Sequence, residues 1–124
     1  MPNPKEICSS FINGAFLEGS TQATDLISPV TQKPWKKIIP CIREDVKNAI
    51  KHAEAAFQKW KNIPAPTRGE ILRKIGSGIL ESKQLFAQTM AMEMGKPLKD
   101  GFREVDYSAG YFFWFAGEAE RIYG

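Results

Sequence analysis

Few side chains in this 124-residue sequence could carry chemistry on their own. Two cysteines, Cys8 and Cys41, and one histidine, His52, are its whole supply of thiol and imidazole. A cysteine nucleophile needs a base or a cation to hold it as thiolate. Neither cysteine has such a neighbour in sequence, so both read as small structural residues, Cys8 in an N-terminal tail and Cys41 after a strand. One histidine supplies neither a triad nor a metal site by itself. His52 lies beside Lys51, off any apolar stripe, and reads as a solvated side chain.

Two glycine patterns resemble phosphate loops and fail on inspection. Gly76-Ser77-Gly78 is half of a dinucleotide fingerprint, but the third glycine position holds Glu81 and the segment follows no strand. Gly95-Lys96 lacks the upstream glycine of a Walker loop, because Met90 stands there. Glu104 and Asp106 are too close in sequence to share one helix face, and they read as solvated or ion-paired charges. Arg103, Tyr107, Tyr111 and Trp114 do share a face at helical spacing. That face suits core or interface packing first, and the wall of a substrate channel as the functional alternative.

The elements that must position these residues divide near residue 43. Residues 1–42 form a strand-rich N-terminal arm, and 43–124 a helical segment. In the arm, Phe11-Ile12-Asn13-Gly14-Ala15-Phe16 predicts a hairpin, since Asn-Gly accepts the positive φ of a type I′ turn. Weaker strands are expected at Thr24–Ser28 and Trp35–Ile39, with a turn over Pro29–Pro34 and a stop at Pro40. Such short strands make a poor core and suit an arm lying on something else.

Four helices follow, so the fold class is mainly α. The first, Glu44 to about Lys61, spaces Val46, Ala49, Ile50, Ala53, Phe57 and Trp60 by threes and fours, with Glu44 and Asp45 at its positive end. The second starts at a capping box, Thr67 with Glu70, where Thr67→Ala should cost ~1 kcal/mol. Gly76 and Gly78 weaken it by roughly 0.5–1 kcal/mol each and leave room for a close helix crossing. The third runs from near Ser82 and stops at Gly95-Lys96-Pro97. The last, Leu98 to about Tyr123, is long, roughly 39 Å. Its centre holds Tyr111, Phe112, Phe113, Trp114 and Phe115, which point all round the axis. Each buries roughly 150–250 Å² when covered, more than three short neighbours supply on one side. The other side therefore needs a partner chain or further sequence.

Composition bounds the function. The sequence is 43% hydrophobic and 25% charged, as in globular domains. The net charge of +3 is mild. Its lysines are spread over 33–37 and 47–61 with acids among the second group, so no nucleic-acid face is expected. No run of about eighteen apolar residues suggests a membrane span. Met1–Glu6 lacks an apolar signal core, so the expected location is cytoplasmic.

The ordered set of residues has a family likeness. Phe11-Ile12-Asn13-Gly14 comes first, then Asp45-Val46 through Ala55-Ala56-Phe57 to Trp60, and Arg68 with Ile71-Leu72. Glu93, Gly95-Lys96-Pro97, Glu104-Val105, Trp114-Phe115-Ala116 and Arg121-Ile122-Tyr123-Gly124 complete it. In order and spacing this resembles the N-terminal segment of the NAD(P)-dependent aldehyde dehydrogenase superfamily. It is most similar to the succinate-semialdehyde dehydrogenase branch, though Phe113 stands where that branch has an acid.

The resemblance implies a reaction: a cysteine thiolate attacks an aldehyde, hydride passes to NAD or NADP, and water releases the acid. In that family the catalytic and cofactor-binding groups lie downstream of this segment. The resemblance therefore implies no catalytic, cofactor or metal residue here, an inactive chain and no cofactor bound to it alone. It implies the N-terminal part of the family fold without the Rossmann-like core. The strands resemble an oligomerisation arm, and the last helix borders the substrate entrance, which makes Arg103 and Tyr107 channel candidates. The remainder of the enzyme, or a second copy, would cover helix 98–123 in a homo-oligomer. The rival reading is a freestanding interaction module derived from the same family.

Overall fold

A computed structural model describes residues 7–17 and 22–121 of the chain. They belong to two compact units, Met1–Asn62 and Ile63–Gly124.

Among the described residues the first unit carries five short strands and a helix: β1 (Ile7–Cys8), β2 (Phe11–Ile12), β3 (Ala15–Phe16), β4 (Thr24–Ile27), β5 (Pro34–Ile38) and α1 (Arg43–Trp60). β2 and β3 form the expected hairpin, with Ile12 opposite Ala15 and Phe11 opposite Phe16. Its turn places Asn13 at φ 52° and Gly14 at φ 82°, the pair of positive values a type I′ turn requires. The other sheet has the order β1-β5-β4. β4 runs antiparallel to β5, with Asp25 opposite Lys37 and their side chains 3.1 Å apart. The connecting turn folds on Ser28, which is fully buried and exchanges backbone bonds with Gln32 and Lys33.

Cys8 is not in a tail. It lies in β1, parallel to β5 and opposite Ile38, and its carbonyl accepts the Ile39 N–H at 2.9 Å. Two residues are too short to show an alternating pattern, and the pairing depends on a strand thirty residues away, so local sequence carried no sign of it.

α1 begins where the periodicity says. The Asp45 carboxylate accepts the Ile42 N–H at 3.0 Å, one half of a capping box, since the Ile42 side chain has no acceptor for the other half. The apolar stripe does not become a core. No residue of α1 is buried, and Val46, Ile50 and Phe57 are about half exposed or more.

Among the described residues the second unit has three helices: α2 (Ala65–Glu81), α3 (Lys83–Met94) and α4 (Leu98–Glu120). α2 and α3 both pack on α4. α4 buries Gly101, Val105, Ala109 and Ala116, which form one stripe along its length. Opposite them lie Gly69 and Gly76 of α2 and Ala87 of α3. Small residues on both sides let the backbones approach closely, and a methyl added at Gly101 would stand 3.1 Å from the Ala87 carbonyl oxygen. Ion pairs at the rim join the elements: Arg73–Glu120 at 2.7 Å between α2 and α4, Lys83–Asp106 at 2.6 Å between α3 and α4, and Lys96–Glu104. Each is exposed enough to contribute only ~0.2–1 kcal/mol.

Three expectations for the helices need correction. Thr67 does not cap α2, which begins two residues earlier, after Pro64, with Pro66 in its first turn. Proline gives up no needed N–H there and presets φ, so the helix extends back past the threonine. Gly78 is not at a crossing: nothing lies within 4 Å of a methyl placed there, whereas one at Gly76 would meet Phe113 and Ala109. α4 ends at Glu120, short of Tyr123; Ile122–Gly124 lie outside the described residues. The stop at Gly95 forms as its sequence requires, at φ 71°, with its N–H on the Ala91 carbonyl at 3.0 Å.

Candidate functional site

The face of α4 away from α2 and α3 gathers bulky and charged groups around open space. Arg103, Tyr107, Tyr111 and Trp114 follow one another by four, four and three residues, so an unbroken helix sets them in a row. With Asp106, Gly110 and Phe115 they line an open groove of about 620 Å³. Gly110 has no side chain, and nothing lies within 4 Å of a methyl placed there. Tyr107 and Trp114 are 69% and 65% exposed, so this face is bare while the opposite one is core.

Polar groups fall at one end. The Arg103 guanidinium lies 3.7 Å from Asp100, too far for a hydrogen bond, and is directed to solvent. Asp106 is held by Lys83 at 2.6 Å. The two tyrosines stack edge to face, with ring centres 5.0 Å apart, and the Tyr111 hydroxyl donates to that of Tyr107 at 3.3 Å. That hydrogen bond, and then the electrostatic influence of Tyr107, hold the Tyr111 hydroxyl above the ordinary tyrosine value. The arrangement suits a ligand with an apolar body and an anionic end. It places no nucleophile beside a base.

The remaining candidates are scattered. Cys41 is exposed and its thiol bonds to the Ser10 hydroxyl at 2.8 Å; Cys8 is half-buried in β1. His52 is exposed on α1, at the edge of a smaller pocket of about 280 Å³ between α1 and the hairpin, with Phe11, Ile12 and Asn13. Gly76-Ser77-Gly78 lies within α2, where its amides bond within the helix and cannot cradle a phosphate. Glu104 pairs with Lys96 and Asp106 with Lys83, so the two acids diverge as their spacing demands. Among the described residues no three His, Cys, Asp or Glu side chains converge on a metal position, and no helix is long and apolar enough to cross a membrane.

Four of the seven lining residues, Arg103, Tyr107, Tyr111 and Trp114, are those that the helical spacing sets on one face; Asp106, Gly110 and Phe115 join them in the fold. Phe115 was visible as the continuation of the row, four residues after Tyr111, but the aromatic run obscured which rings shared a face. Asp106 stands out in sequence only as an acid beside Glu104, and Gly110 carries no signal of its own.

The chain's likeness to known proteins is extensive. The model of the aldehyde dehydrogenase family matches residues 16–124. The chain belongs to the aldehyde dehydrogenase family. It is 34% identical over 116 residues to the mitochondrial succinate-semialdehyde dehydrogenase of Rattus norvegicus, spanning 93% of this chain and 22% of that protein. Succinate-semialdehyde dehydrogenase (NADP+) GabD of Escherichia coli is 31% identical over 116 residues, 93% of this chain and 24% of its own length. Among solved structures, aldehyde dehydrogenase 21 of Physcomitrella patens, in complex with the reaction product succinate, superposes with a TM-score of 0.88 at 29% identity. That match covers 95% of this chain and 24% of the other. Betaine aldehyde dehydrogenase of Staphylococcus aureus, in complex with NAD+, matches with a TM-score of 0.87 at 28% identity, over 92% of this chain and 24% of that one.

This chain thus spans under a quarter of the length of these relatives. Its short strands and four helices are the N-terminal part of the family fold, as the motif order implied.

Proposed function

We propose that this chain is the N-terminal portion of an NAD(P)-dependent aldehyde dehydrogenase that oxidises a short carboxylate-bearing aldehyde, succinate semialdehyde first among them. The observation that carries the reading is the likeness to succinate-semialdehyde dehydrogenases over 93% of the chain, joined to a helix face left bare. In this reading the α4 groove borders the path of the substrate, with Arg103 and Tyr107 at its polar end. The thiolate, the water-activating base and the groups that hold NAD or NADP belong to the polypeptide beyond 124, which covers α4. The 124-residue chain alone is inactive and binds neither cofactor. The assembled enzyme is a cytoplasmic homo-oligomer.

Purified 124-residue chain, mixed with succinate semialdehyde and either NAD+ or NADP+, should reduce no nicotinamide above the uncatalysed rate. Turnover by the chain itself overturns its assignment as a part without catalytic groups. The size of the endogenous polypeptide, read with an antibody against residues 43–121, tests the larger claim. A species several-fold longer supports it, and one of 124 residues opposes it.

The exposure of Tyr107, Tyr111, Trp114 and Phe115 favours a second reading, a freestanding module that associates through α4 with another copy or with a full-length enzyme. Light scattering separates the two, since a chain that stays monomeric at high concentration does not support a self-associating module.

A further inference from the structure

We draw no further inference here: the strongest candidate, the exposed apolar stripe of Val46, Ile50 and Phe57 along α1, carries nothing because nothing in the structure shows what covers it.

Discussion

Gly76 and Gly78 sit two residues apart on α2, and alanine should act on them with opposite sign. Both lie within the helix, so each substitution brings the same gain of roughly 0.5–1 kcal/mol from lost freedom of the unfolded chain. Gly78 points to open space, and there the gain stands alone. At Gly76 the new methyl would sit 2.9 Å and 3.0 Å from two ring carbons of Phe113, and 3.3 Å from the Ala109 carbonyl oxygen. The ring is 39% exposed and can swing aside, but the carbonyl belongs to the α4 backbone, so α2 must move outward or stay compressed. Overpacking of this kind costs typically 1–3 kcal/mol. The net expectation is a loss of about 1 kcal/mol for Gly76→Ala and a gain of up to about 1 kcal/mol for Gly78→Ala. Because the helix term is common to both, their difference reports the α2–α4 contact itself. Urea unfolding followed by helical circular dichroism measures it, provided the slope stays unchanged. Combining Gly76→Ala with Phe113→Leu should recover part of the loss. Equal stabilisation by the two alanines would refute the close crossing and the packing derived from it.

Thr67→Ala should shift stability by no more than about 0.5 kcal/mol, since Thr67 is inside α2, whereas Asp45→Ala should cost roughly 0.5–1 kcal/mol for the lost acceptor of the Ile42 N–H. Equilibrium unfolding of both variants checks the reassignment of the caps. Gly95→Ala, at φ 71°, should cost about 1–2 kcal/mol, and a lowered midpoint with no loss of folded helix content is the expected signature. The Tyr111 hydroxyl should ionise later than a free tyrosine in an ultraviolet pH titration. Its pKa is raised in the folded state, so its contribution is fully present below the unfolded value and is lost as pH rises through the folded one. Tyr107→Phe removes the hydroxyl that accepts its proton and should move the transition back toward the ordinary value; an unchanged transition would sink the assigned cause.

How much was legible in advance differs by element. Asn13-Gly14 announced the hairpin, because few residue pairs accept two positive φ values, and Gly95-Lys96-Pro97 announced a helix stop for a similar local reason. The row Arg103, Tyr107, Tyr111 and Trp114 was legible as a face because helical geometry makes it one. β1 was not legible, since its pairing with β5 is set by contacts far along the chain. The start of α2 lies earlier than the Thr67–Glu70 spacing predicts, because Pro66 fits the first turn and Pro64 stands just before it.

The amino-acid order by itself determined that four helices and the hairpin form, the family to which the chain belongs, and that the α4 aromatics exceed what three neighbouring helices cover. These follow from periodicity, turn chemistry and motif order, all properties of the local chain. The tertiary structure decided which glycine is a contact and which is free, which acid faces which lysine, and which side of α4 is core. Those depend on where α2 and α3 settle along the small-residue stripe of Gly101, Val105, Ala109 and Ala116. Close packing there buries one face and leaves Tyr107 and Trp114 on the other, because backbones approach only where side chains are small.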